Sequence, residues 1–245
     1  ITGQFSDTLS IAGSTHNNTI FNAGMLLKLD SLGNEVWFKR MGAIQTLVYD
    51  LDIDNQGNVY ITGDFMGQMI IIGASGNNYL NGNYTYRIFI IKFDSQGELL
   101  WMREDDSNSQ VSSKAITLDA NQDPYISGTF KCVFDEYADS LGSGLFNSVG
   151  YNDIFITKYS NSGTQQWMKQ YGGPLDDYCS GIAISQINNP IISGGYTEYF
   201  NYPVGFSFIS IVGINKTFPP YSWKPGCANK NYMYLNAVGA KDIFI

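Results

Sequence analysis

An all-β fold of tandem four-stranded antiparallel units, the blades of a β-propeller, is what this sequence predicts, and three observations predict it. Several motifs recur in step with a period of roughly 65 residues. Short alternating segments are separated by turns rich in Gly, Asp and Asn. No segment carries a sustained helical period with caps.

The repeat is read from two signatures. Ile1-Thr2-Gly3-Gln4-Phe5 returns as Ile61-Thr62-Gly63-Asp64-Phe65, as Ile126-Ser127-Gly128-Thr129-Phe130 and, degraded, as Ile192-Ser193-Gly194-Gly195-Tyr196. Gly24-Met25-Leu26-Leu27-Lys28-Leu29-Asp30 leads to Trp37, and Arg87-Ile88-Phe89-Ile90-Ile91-Lys92-Phe93-Asp94 leads to Trp101. Asp153-Ile154-Phe155-Ile156-Thr157-Lys158-Tyr159 leads to Trp167, and Asp242-Ile243-Phe244-Ile245 opens the signature once more.

Each period is expected to hold four strands, which in the clearest copy are A at 115–119, B at 125–130, C at 154–159 and D at 166–171. Alternation puts Phe89, Ile91 and Phe93 on one face of strand C and Lys92 on the other. Asp54-Asn55-Gln56-Gly57-Asn58 between A and B, and Asp94-Ser95-Gln96-Gly97 between C and D, have hairpin chemistry: Gly supplies positive φ and Asp bonds its own backbone. The strand count runs B-C-D, then A-B-C-D twice, then A-B-C. Blades are expected at about 1–43 (partial), 44–108, 109–174 and 175–245 (partial, with a long insertion at 198–241). The missing end strands belong to different blades. These residues are therefore expected to form a segment of a larger propeller, with the ring completed by other sequence. The rival architecture, an open β-solenoid, has shorter coils.

Composition bounds the function classes. The chain has 245 residues, enough for a real core, and at 44% hydrophobic it is not disordered. The 17 Tyr and 26 Gly suit strands joined by tight turns. A formal net charge of −8 argues against a nucleic-acid partner, which would draw on clustered Lys and Arg. No apolar run reaches the roughly 18–20 residues of a membrane span. No leader is read either, because the chain opens directly in strand-like Ile1-Thr2-Gly3. Cys132, Cys179 and Cys227 form neither a disulfide framework nor a zinc pattern; one bridge and buried free thiols both stay open.

Three stretches together carry a resemblance: the Asp153–Tyr159 type of strand with its Asp-Ser-x-Gly turn and Trp; Gly172-Gly173-Pro174-Leu175-Asp176-Asp177-Tyr178; and Gly57-Asn58-Val59-Tyr60-Ile61-Thr62-Gly63. In them the chain resembles the seven-bladed beta-propeller (SBBP) repeat family of bacterial extracellular proteins. The resemblance implies a secreted or envelope-associated bacterial protein, often a large adhesin-like polypeptide or one exported by a secretion system, including a type IX-like route. The strand pattern is also similar to the NHL-type blade. The last copy departs from it, with Ser185-Gln186-Ile187-Asn188-Asn189-Pro190-Ile191 in place of the usual turn, which leaves that turn's geometry open.

Candidate sites are few. Trp37, Trp101 and Trp167 recur in register and read as packing between blades. The Asp-Ser-x-Gly turns are similar to the Asp-box of sialidase-type propellers but differ in spacing, and read as structural hairpins. Asp52 to Gly57 resembles half of an EF-hand loop, but Gly63 stands where the closing Glu belongs. His16, the single histidine, is read in an exposed loop with no catalytic partners marked out. There is no phosphate-cradling Gly-rich loop, so no cofactor is expected.

Two carboxylate pairs, Asp105-Asp106 and Asp176-Asp177, fall in D–A connections, as solvated acids or the rim of a binding face. The last B–C connection carries Tyr199, Phe200, Tyr221, Trp223, Tyr232 and Tyr234 in the 198–241 insertion. Long insertions on repeat scaffolds tend to carry recognition. B–C and D–A connections leave an up-down blade at the same end, so Trp223, Tyr221, Tyr232 and Tyr234 would share a binding face with the Asp pairs. Asp7-Thr8-Leu9, Asp30-Ser31-Leu32 and Asp139-Ser140-Leu141 resemble a short O-glycosylation sequon of Bacteroidetes. The expected function is a non-enzymatic extracellular or envelope scaffold, adhesin or binding subunit, with surface proteins or glycans as partners. A lectin-like propeller and a propeller appended to a secreted enzyme are the alternatives.

Overall fold

The computed structural model describes residues 1–18, 22–73, 76–82, 84, 86–107, 110–135, 145–196 and 207–212. The fold is all-β: every regular element among the described residues is a strand. The chain divides into two compact units, Ile1–Glu104 and Asp105–Ile245.

In the first unit, β1 (Thr2–Phe5), β4 (Ala23–Leu29) and β5 (Glu35–Gly42) form a B-C-D meander, with the hairpin β2 (Thr8–Ile11) and β3 (Ser14–Asn17) inserted between B and C. A complete A-B-C-D meander follows: β6 (Gln45–Ile53), β7 (Val59–Met66), β10 (Arg87–Phe93) and β11 (Leu99–Ser107). Its own B–C hairpin, β8 (Gln68–Gly73) and β9 (Gly76–Asn81), pairs with the end of the preceding strand D, Met41 opposite Ile71 and Gly42 opposite Ile70.

In the second unit, β12 (Val111–Leu118), β13 (Pro124–Asp135), β14 (Leu145–Tyr159) and β15 (Gln165–Tyr171) form A-B-C-D. β16 (Tyr178–Ile184), β17 (Pro190–Tyr196) and β18 (Ser207–Val212) form A-B-C. Here the B–C ribbon is an outward extension of β13 and β14. Its Asp135 and Phe134 pair with Asp106 and Ser107, the same contact made by β8 on β5 one repeat earlier.

Register repeats along with sequence. Opposite the glycine of strand B stand Met25, Phe89, Phe155 and Ile209 in the four copies. Strand A is bulged at one equivalent place each time, between Val48 and Asp50, Ser113 and Ala115, and Cys179 and Gly181. A bulge bends its strand locally and re-aims the backbone. At Gly63 and Gly128 an added Cβ would collide with the strand A carbonyls of Leu47 and Ser112 and with the rings of Phe89 and Phe155. Only glycine lets the bulged strand and the aromatic ring close on strand B.

The turns repeat as faithfully. Gly33, Gly57, Gly97, Gln122, Gly163 and Asn188 each donate N–H to the carbonyl three residues earlier, and all sit at φ between 61° and 85°. This is a type I turn closed by a left-handed residue. The last turn, whose geometry the sequence left open, keeps it. Asn188 accepts the left-handed conformation, and Ser185 Oγ takes the Asn189 N–H at 3.0 Å as Asp oxygens do elsewhere.

Packing occurs between sheets. In the first unit Leu26 and Met41 of one blade bury against Ile61, Phe65, Phe89, Ile91 and Phe93 of the next, with Trp37 at the margin. In the second, Tyr125, Ile154 and Ile156 pack on Cys179 and Ile192, with Trp167 at the margin. Trp37 and Trp167 thus lie between blades, as expected. Phe89, Ile91 and Phe93 share one cluster, in keeping with the alternation of strand C, and the opposite face is covered as well: every residue of β10 is buried, Lys92 included. The fourth strand B is paired by Ser207–Val212, a stretch inside the segment read as insertion. The strand expected at Asp242–Ile245 lies outside the described residues.

Candidate functional site

Each blade has two ends. At one are the A–B and C–D turns; at the other are the B–C ribbons and D–A connections.

The turn end is built around a lysine on strand C. Lys92 Nζ lies 3.4 Å from Asp54 Oδ2 and 4.6 Å from the Tyr60 ring centroid, and Tyr60 meets Trp101 edge-on at 5.9 Å. One repeat later Lys158 Nζ lies 2.9 Å from Asp119 and 3.2 Å from Asp123, over Tyr125, which meets Trp167 edge-on at 5.6 Å. Burial disfavours the Lys158 charge, but hydrogen bonds to Asp119, Tyr125 and Asp123 outweigh it and raise the pKa above the ordinary lysine value. Asp54 is opposed by burial in the same way. The Asn58 side chain and backbone, the Gln56 amide and the Lys92 charge nonetheless hold its carboxyl below the usual range.

These acids are fully committed. Asp54 accepts from Gln56 N, Asn58 N and Asn58 Nδ2, and Asp119 accepts from Asn121 N and Asp123 N. The half EF-hand stretch therefore spends its central carboxylate on a turn and a lysine. Among the described residues no group of three or more His, Cys, Asp or Glu is placed to hold a metal. Sequence reading missed this clasp. Its signal was a lysine recurring at one position in an otherwise apolar strand, Lys28, Lys92 and Lys158.

The connection end is different. Asp177, read as a solvated or rim acid, is 2% exposed. Its Oδ2 accepts from Gly173 N at 2.6 Å and its own N–H donates to Asn152 O, so it shapes the loop. Asp176 is exposed and accepts from Asn152 Nδ2 at 2.6 Å. Beside them Tyr151 and Tyr178 expose their rings, and Lys131 Nζ lies 5.2 Å from the Tyr151 centroid. Asp105 and Asp106 are strand residues ending β11, not a loop. Trp223, Tyr221, Tyr232 and Tyr234 lie outside the described residues, as do Tyr199, Phe200 and Cys227.

His16 is likewise not in a loop. It lies on β3, half-buried, stacked on Phe38 at 3.7 Å with Nε2 2.7 Å from Glu35 Oε2. Cys179 is a free buried thiol that donates to Ser127 Oγ, and burial pushes its pKa up.

A scan against protein-family models finds no match. Among curated proteins the chain is similar to an uncharacterised WD repeat-containing protein of Acanthamoeba polyphaga mimivirus. The two are 23% identical over 186 residues, which is 71% of this chain and 12% of that protein. The fold is of the β-propeller class. The likeness agrees with the four-stranded antiparallel units, their shared register and their packing sheet on sheet. Among the described residues no helix is long and apolar enough to cross a membrane.

Proposed function

We propose that this chain is a non-catalytic propeller scaffold that binds a protein partner through its connection end. One observation carries the reading. The turn end is the same from copy to copy, its six turns sharing one hydrogen bond and a left-handed φ, whereas the three B–C connections among the described residues differ in length. They form a hairpin of four-residue strands in β2 and β3, one of six-residue strands in β8 and β9, and an extension in β13 and β14. A scaffold holds its packing constant and varies the surface that meets partners. The name of the WD repeat relative is in keeping with such a role.

The motif series supports an SBBP-type protein of the bacterial surface or envelope, acting as adhesin or subunit. The test is cross-linking in the native host followed by affinity measurement on the partner found. Tyr151→Ala with Tyr178→Ala is expected to weaken binding at least about tenfold, a hot-spot loss. Leu32→Ala with Ile187→Ala, exposed residues of the turn end, should leave it unchanged. The reverse pattern sinks the proposal, and cytoplasmic fractionation sinks the surface location. The lectin reading has one observation in its favour, the exposed Tyr151 and Tyr178 rings beside the Asp176–Asn152 pair. Glycan binding that is lost in Tyr151→Ala would favour it.

A further inference from the structure

We propose that the open edge of β2 is an acceptor for the end of strand D of a further blade of this repeat. The starting point is a contact that the structure makes twice. The B–C ribbon of a blade offers one strand edge to the preceding strand D. Ile70 and Ile71 of β8 take Gly42 and Met41, and Asp135 and Phe134 of β13 take Asp106 and Ser107. The two contacts fall at repeat-equivalent positions.

The hairpin β2–β3 is the same device one repeat earlier. Leu9 stands opposite His16 as Met69 stands opposite Leu80; Leu9 packs on the Phe5 cluster of its own blade, and Met69 and Leu80 join the cluster of Phe65 and Phe89 in theirs. Counting from the strand B glycine, Ser10 and Ile11 occupy the places of Ile70 and Ile71. Among the described residues β2 pairs with β3 and with no other strand, so the outward backbone groups of Thr8 and Ser10 face no partner strand there.

Burial points to the same missing neighbour. Met69 and Ile71 are 0% and 1% exposed. Their equivalents Leu9 and Ile11 are only half-buried. The cluster beneath the first hairpin is correspondingly small: Phe5, Ala23 and Met25, with Leu9 and Phe38 at its margin. Its counterpart in the next blade is completed by Leu26, Met41 and Ala43, which the neighbouring blade's strands C and D and the D–A connection supply. The occupant that fits is therefore a strand D of this repeat with its apolar face, rather than an unrelated peptide. Strand addition at an open edge supplies main-chain bonds, and the apolar face supplies specificity.

The test extends the chain by its own sequence. Because Ile1-Thr2-Gly3 aligns with Ile61-Thr62-Gly63, a copy of residues 35–60 placed before Ile1 joins in repeat register and brings one strand D and one strand A. Hydrogen exchange at the Ser10 amide, which points to the open edge, is expected to slow at least about tenfold as that edge pairs. Gly42→Pro within the added copy should abolish the effect while β7 and β10 stay protected. Unchanged exchange at Ser10, with β1 newly protected by the added strand A, would overturn the proposal. If the extended chain does not fold, a peptide of residues 35–44 added at millimolar concentration to the original chain decides instead. Amide shifts confined to β2 support the acceptor edge, and shifts elsewhere or nowhere refute it.

Discussion

A methyl group on Gly128 would lie 2.7 Å from Phe155 Cε1 and closer still to the Ser112 carbonyl. Neither neighbour can give way, because one is the bulged strand A and the other a ring in the core. Gly128→Ala is expected to cost about 2–3 kcal/mol in urea unfolding, the range of overpacking in a tight core. Gly13→Ala, at φ 79° with open space around it, should cost only about 1 kcal/mol of backbone strain. Equal losses would show that conformation rather than collision governs both sites. The Lys92–Asp54 pair makes a second residue-scale prediction. Lys92→Met leaves the Asp54 carboxylate, 2% exposed, without its counter-charge, an expected loss of about 3 kcal/mol. Adding Asp54→Asn should recover part of it, and strictly additive losses in the double-mutant cycle would mean the two groups are not coupled. The blades also exchange partners in place. Arg87 faces Glu104 in one copy, and the equivalent Asp153 takes Gln170 Nε2 at 2.6 Å in the next.

The turn is the element that sequence and structure share most closely, because its conformation is set by local bonds. Asp54 and Asp30 both have lowered pKa values: Asp54 is held down against burial by bonds from Asn58 and Gln56, and exposed Asp30 chiefly by the Asn34 side chain. Their contribution to stability is therefore present above the ordinary aspartate pKa of about 4 and is lost as pH falls through the lower folded values. Urea midpoints measured from pH 7 down to pH 2 should hold to about pH 4 and then fall. Asp54→Asn should flatten part of that fall. Lys158 works in the opposite sense: its pKa is raised, so its contribution persists below about pH 10.4 and is lost only in stronger alkali. Gln122 holds a left-handed φ of 65° where the preceding A–B turn has Gly57 and the following one Asn188, so Gln122→Gly is expected to stabilise by about 0.5–1 kcal/mol. A destabilised variant would show that the Gln122 Nε2 bond to Asp119 O outweighs the strain. Strand elements were less legible. The largely apolar C strand conceals that both faces are buried, and a buried lysine with a distant aspartate partner looks the same in sequence as an exposed one.

For the whole molecule, charge is the property most open to test. The net charge is −8, and Lys39, Arg87, Lys92 and Lys158 are engaged with carboxylates inside the fold. The chain should therefore pass through heparin or DNA resin at about 50 mM salt, and retention there would reveal a basic face that the composition hides. By itself the sequence determined the repeat, the strand order within each blade and the turn positions. These are properties of nearest neighbours along the chain: alternation, a glycine or asparagine at the left-handed position, an aspartate or serine bonding the next amides. Tertiary structure alone decided the rest. It buried Lys92 and Lys158, drew Asp177 into a loop as its organiser and placed His16 on a strand over Phe38. It also brought the B–C ribbons onto the neighbouring strand D. Those outcomes depend on groups tens of residues apart meeting across sheets, where burial and partner choice are settled by packing, and no local pattern records which side chain will be on the far side.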